Sequence, residues 1–113
     1  MSRRLRGPAA LFLALAAGAA AGHGHPAAID DANPEAWKYR LCGEMAGVAI
    51  QAVKDRDRGR PARTYPDDGG PGPAIANAIV RKVYEEPGIS SPKRAETFGR
   101  AHCNEALAGQ SRP

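Results

Sequence analysis

Residues 33–61 read NPEAWKYRLCGEMAGVAIQAVKDRDRGRP, and they carry the strongest helical signal in the chain. Asn33 is a favoured helix N-cap, Pro34 suits the first helical position, and Glu35 puts a negative charge near the positive end of the dipole. Trp37, Leu41, Met45, Val48 and Ala52 then recur at steps of four, four, three and four. At the helical period they fall within about 80° of one another, and Cys42, Ala49 and Val53 widen the apolar stripe to about 160°. Arg40, Glu44, Gly47 and Gln51 lie opposite, with Ile50 off the stripe. The helix is expected to end at Asp57 or Arg58, because Gly59 suits a left-handed cap and Pro61 forbids continuation. About 24 residues of helix reach about 36 Å.

Downstream, Arg60 to Gly72 is dense in proline and glycine (Pro66, Gly69-Gly70, Pro71-Gly72) and reads as a long, mobile loop. Pro73 opens a shorter helix in which Ile75, Ile79 and Val83 recur every four residues beside Val80 and Tyr84, until Pro87-Gly88 stops it. Ser91-Pro92 repeats the cap-plus-proline signature and starts a third helix. There Ala95, Phe98, His102 and Ala106 share a face, Cys103 and Leu107 adjoin it, and Gly109 ends it. No stretch shows sustained strand alternation, and no internal repeat is visible.

Upstream, a basic start (Arg3, Arg4, Arg6), an Ala/Leu-rich run from Pro8 to Ala21 and the small residues Ala19-Ala20-Ala21 have the order of a cleaved secretory signal peptide. The apolar run is about 14 residues, short of the roughly 18 to 20 a spanning helix needs. Arg3-Arg4 lacks the bulky apolar pair of a twin-arginine signal, and no cysteine precedes Cys42 to serve as a lipid anchor. The expected division is a signal peptide at 1–21, a flexible lead-in at 22–33, a helical domain at 34–109 and a tail at 110–113. Over the whole chain 16 Lys and Arg face 12 Asp and Glu; losing three arginines with the signal leaves 13 against 12. A mature chain this close to neutrality argues against nucleic acid as a partner.

The remaining 92 or so residues form one small domain with few aromatics, which a covalent staple would help. The two cysteines, Cys42 and Cys103, are expected to pair in an oxidising compartment. Their bond would close a loop of about 62 residues, a constraint of about 4 kcal/mol in the chain-entropy model. It would join the first helix to the third, with the second packed across the groove. The expected architecture is therefore all-α: a small three-helix bundle stapled by one disulfide, after a cleaved signal peptide.

The cysteine in a long first helix, the turn Arg56-Asp57-Arg58-Gly59-Arg60-Pro61, the stretch Ile79-Val80-Arg81-Lys82-Val83-Tyr84 and the late cysteine together resemble a type of small exported bacterial protein with no assigned activity. The resemblance covers Trp37 to Cys103 and implies a fold type without a chemistry. Fainter likenesses run to acid-stress chaperones of the periplasm and to immunity proteins against secreted effectors. Both groups are disulfide-bonded and work by binding, but no motif here matches theirs, so no functional residue carries over.

Candidate chemistry is sparse. His23 and His25 flank Gly24 near the expected mature terminus, where a terminal amine, backbone nitrogens and a third-position imidazole could chelate Cu(II) or Ni(II) in a square plane. Cleavage after Ala20 would put His23 third; cleavage after Ala21, which the pattern favours, puts it second and spoils that chelate. A solvated glycine-rich spacer is the plainer reading. The alternating charges from Lys54 to Arg60 read as a solvated, salt-bridged helix end. Asp55-x-Asp57-x-Gly59 fails as a calcium loop, with Arg60 at the sixth position and Pro66 at the twelfth. His102 beside Cys103 is not a catalytic pair, because neighbours on a helix point about 100° apart. Gly43 and Gly47 could admit a close helix contact, though they lie on the polar side.

Enzymatic activity is the least favoured class, no cofactor is implied, and catalytic residues are not identifiable. The expected function is that of a periplasmic or secreted helical protein acting by protein–protein binding. Its expected surface is the solvent side of the first helix with the Arg60–Gly72 loop. The alternative is metal binding through His23 and His25.

Overall fold

Asn33 accepts the Glu35 backbone N–H on its side-chain oxygen at 2.8 Å, and its carbonyl accepts the Ala36 N–H at 3.0 Å. This turn launches helix α1, Ala36–Asp57, two residues later than the sequence suggests. The computed structural model describes residues 29–30 and 32–110; the expected signal peptide, His23 and His25, and residues 111–113 lie outside them. Two further helices follow, α2 at Gly72–Glu85 and α3 at Pro92–Ala106, and the described residues contain no strand.

The helix ends follow local chemistry. Gly59 takes φ +73°, its N–H donates to the Arg56 carbonyl, and the Arg60 N–H donates to the Asp55 carbonyl. Two of the carbonyls that α1 would leave bare are thereby satisfied in a Schellman turn, which needs a left-handed residue and so a glycine. At α3 the Ser91 hydroxyl accepts the Arg94 N–H at 3.1 Å, with Pro92 as the first helical residue.

Both α2 and α3 pack mainly on α1 and touch each other less. Gly72, at the start of α2, lies against Leu41, and Arg56 reaches the carbonyl of Val83 near its end, so α1 and α2 run parallel. Helix α3 runs antiparallel: Gly99 lies on Met45, Ala46 and Ala49, and Cys103 is bonded to Cys42. A parallel pair needs a returning connection, and residues 58–71 supply it by passing back along α1 and α2.

The buried face of α1 is Cys42, Met45, Ala46, Ala49, Ala52 and Val53, and that of α3 is Ala95, Gly99 and Cys103, with Leu107 just beyond. Both faces are rotated from the sequence reading. Trp37, Leu41 and Val48 are only partly buried on one edge of α1, while Phe98 and His102 flank α3's contact and Ala106 is exposed. The reason is steric. Small residues let the two backbones approach closely, so an Ala/Gly/Cys seam takes the centre and larger groups move to its margins. On α2 the expected face is the observed one, with Ile75, Ala76, Ile79, Val80 and Val83 buried.

A seam of small side chains buries little apolar area per residue, and fully burying a Leu, Ile or Val contributes only about 1.5–3 kcal/mol. The Cys42–Cys103 bond adds a constraint where packing is lean; both cysteines are at most 1% exposed, with Cα atoms 5.3 Å apart. Among the described residues no helix is long and apolar enough to cross a membrane.

Candidate binding groove

Asp55 sits in the last turn of α1 with only 2% of its surface exposed. Its carboxylate accepts from Arg63 Nε at 2.8 Å and Gln51 Nε2 at 2.9 Å, with Arg60 Nη1 at 3.6 Å. The hydrogen bonds from Arg63 and Gln51 hold its carboxyl below the ordinary value of 3.8, outweighing the opposing effect of burial. The neighbouring Arg56 turns the other way and donates to the carbonyls of Val83, Glu86 and Ile89, closing the C-terminus of α2 and the turn after it. The charge run is therefore salt-bridged, as its alternating signs suggest, but Asp55 and Arg56 face inward rather than into solvent.

These contacts turn the Arg60–Gly72 segment into a strap. Tyr84 donates its hydroxyl proton to the Arg60 carbonyl at 2.8 Å, and burial raises the pKa of that hydroxyl. Further along, Asn77 on α2 captures Tyr65 twice: Oδ1 accepts the Tyr65 N–H at 2.8 Å and Nδ2 donates to the Tyr65 carbonyl at 3.0 Å. One amide reaches both groups because the N–H and C=O of an extended residue point to the same side. The segment that reads as a loose connection is thus pinned by Asp55, Tyr84 and Asn77.

Beyond Tyr65 the strap lifts away from α1 and leaves an open groove of about 640 Å³. Trp37, Leu41, Met45 and Val48 form one wall; Tyr65, Pro66, Pro71 and Pro73 form the other, with Ala76 of α2 at the base. From Trp37 to Val48 the helical wall runs about 16 Å. Two tight turns shape the opposite rim, where the Asp67 and Asp68 carboxylates accept the N–H groups of Gly69 and Gly70, each at 2.9 Å. Glu44 and Asp68 are the charged residues in the lining, and both are exposed. The Trp37 indole N–H is buried without an acceptor.

The groove brings the long loop together with the first helix along the apolar edge of that helix. Trp37, Leu41 and Val48 were legible as apolar and helical; that they border an opening depends on where the strap lies. Of the other candidates, the cysteines are joined, which consumes the thiol beside His102, and the His102 ring instead lies 5.6 Å from that of Phe98. Gly43 meets only the end of Arg100 and Gly47 meets nothing, whereas Gly99 makes the close helix contact. Among the described residues no group of three or more His, Cys, Asp or Glu could hold a metal ion. Comparison with protein families, curated proteins and solved structures gives no match.

Proposed function

We propose that this protein is exported to the periplasm or the cell exterior and acts there by binding a segment of another polypeptide in the Trp37–Tyr65 groove. The observation that carries this reading is the groove itself, where two aromatic rings and three prolines line an open apolar furrow beside a strapped, disulfide-held helix pair. Apolar clefts with a few polar groups at their rims are the usual form of a ligand site, and aromatic anchors dominate polypeptide recognition. The basic and apolar N-terminus and the disulfide both suit an oxidising compartment outside the cytoplasm. Binding is preferred over catalysis because the one buried ionisable side chain among the described residues, Asp55, is already engaged by Arg63 and Gln51 in holding the strap.

Trp37 is the sole tryptophan, so its emission reports the groove directly. Addition of an unfolded, tryptophan-free polypeptide should shift that emission, and Val48→Asp, which places a charge in the wall, should abolish the shift while circular dichroism shows the helices intact. Unchanged emission at saturating polypeptide, or an equal shift in the variant, would refute the proposal.

A further inference from the structure

We infer that the groove selects an extended apolar segment carrying a lysine or arginine, an inference that rests on the binding reading above and names the chemistry of the occupant. Three observations support it. The first is the strap. Tyr65 already lies between α1 and α2 as an extended residue, with its N–H and C=O both held by Asn77 and its ring against the groove that follows. The fold thus binds a stretch of its own chain in extended form at one end of the furrow, and the open part continues along the same edge of α1 toward Trp37.

The second is the lining. Trp37 stands on the helical wall and Tyr65 on the strap wall, with Pro66, Pro71 and Pro73 shaping the opposite side. Aromatic-lined furrows suit extended, proline-spaced chains, which lose little conformational entropy on binding. Five extended residues at about 3.3 Å each match the roughly 16 Å between Trp37 and Val48.

The third is charge. Glu44 on α1 and Asp68 on the strap face the groove from opposite walls, and the lining contains no Lys, Arg or His. Asp68 uses one oxygen on the Gly70 N–H. Nearby Lys38 is paired with Glu35 at 3.2 Å, and its ammonium lies 5.9 Å from the Trp37 ring centre, within the range of a cation–π contact. A cation on the occupant would be attracted by the Glu44 and Asp68 carboxylates, and a carboxylate there would be repelled by both.

The test uses the mature protein with its disulfide intact and three tryptophan-free nine-residue peptides. One is proline-spaced, apolar and flanked by lysine; the second replaces lysine by glutamate; the third keeps lysine but replaces proline by alanine to favour a helix. Trp37 emission and the NMR shift of its indole N–H are followed at low and high salt. The first peptide should bind about tenfold more tightly than the second at low salt, with the gap shrinking as salt rises. In the double variant Glu44→Gln, Asp68→Asn the two should bind within about twofold of each other. Equal affinity of the lysine and glutamate peptides for the unaltered protein would overturn the charge selection and leave the binding reading standing. Tighter binding of the helical peptide would overturn the extended form. No response of Trp37 to any of the three at millimolar concentration would overturn the binding reading itself.

Discussion

Replacing Gly99 by alanine adds one methyl group at the closest approach of two helices, and its effect follows from what that methyl would meet. A Cβ at Gly99 would lie 2.8 Å from both the Ala49 Cβ and the Met45 carbonyl oxygen, and 3.3 Å from the Ala46 Cα. Two of these three are backbone atoms and the third is fixed to one, so none can swing aside. The helices cannot separate freely either, because Cys103 lies one turn from Gly99 and is bonded to Cys42. Overpacking of this kind costs about 1–3 kcal/mol. Alanine also raises helix propensity over glycine by about 0.5–1 kcal/mol, which would mask part of that loss. Gly47→Ala supplies the reference, since it gains the same propensity and its Cβ would meet nothing within 4 Å.

Urea denaturation of the oxidised protein, followed by circular dichroism, should therefore place Gly99→Ala about 1–3 kcal/mol below Gly47→Ala. Gly47→Ala itself should be more stable than the parent by about 0.5–1 kcal/mol. In a domain of this size each kcal/mol moves the melting temperature by about 4–8 °C, so thermal scans should resolve the pair. Combining Gly99→Ala with Ala49→Gly should cost less than the sum of the two single losses, because one of the two closest contacts disappears while the Met45 carbonyl remains. Equal stability of Gly99→Ala and Gly47→Ala would refute the close seam and the antiparallel α1–α3 packing drawn from it.

Breaking the disulfide by Cys42→Ser with Cys103→Ser should lower stability by about 4 kcal/mol for a loop of this length, and alkylation of the unreduced protein should label neither cysteine. Because the Asp55 carboxyl is held below its ordinary value, its stabilisation is complete above about pH 3.8 and is lost as the pH falls from there through the folded value. The stability difference between the parent and Asp55→Asn, measured by urea titration, should shrink over that acid range and stay constant between pH 5 and 8; a difference independent of pH down to 2 would contradict the strap contact. Asn77→Ala removes both bonds to the Tyr65 backbone and should cost about 1–2 kcal/mol. Faster amide exchange should appear at Tyr65 in that variant, while the Arg94 amide, bonded to Ser91, should be unaffected.

The sequence was most legible where backbone chemistry is local. Asn33, Gly59, Ser91 and Pro92 mark helix ends because caps depend on residues within one turn, and the structure places turns or caps at each. The α2 face was legible because its large aliphatic residues are also its buried ones. On α1 and α3 hydrophobicity pointed to the large residues, whereas the closest packing chose the small ones. A glycine such as Gly99 carries no apolar signal, so its place at the centre of a helix contact cannot be read from periodicity.

Cap chemistry, periodicity and a count of two cysteines suffice for three helices, their approximate limits and the pairing of Cys42 with Cys103. The parallel run of α1 and α2, the return of the intervening segment between them as a strap, and the open apolar edge of α1 emerge only in the folded chain. These features depend on partners far apart in sequence. Asp55 finds Arg63 eight residues on, Asn77 finds Tyr65 twelve residues back, and Arg56 finds Ile89 thirty-three residues on. None of these partners is fixed by local spacing, and together they set where the strap lies and therefore where the groove begins.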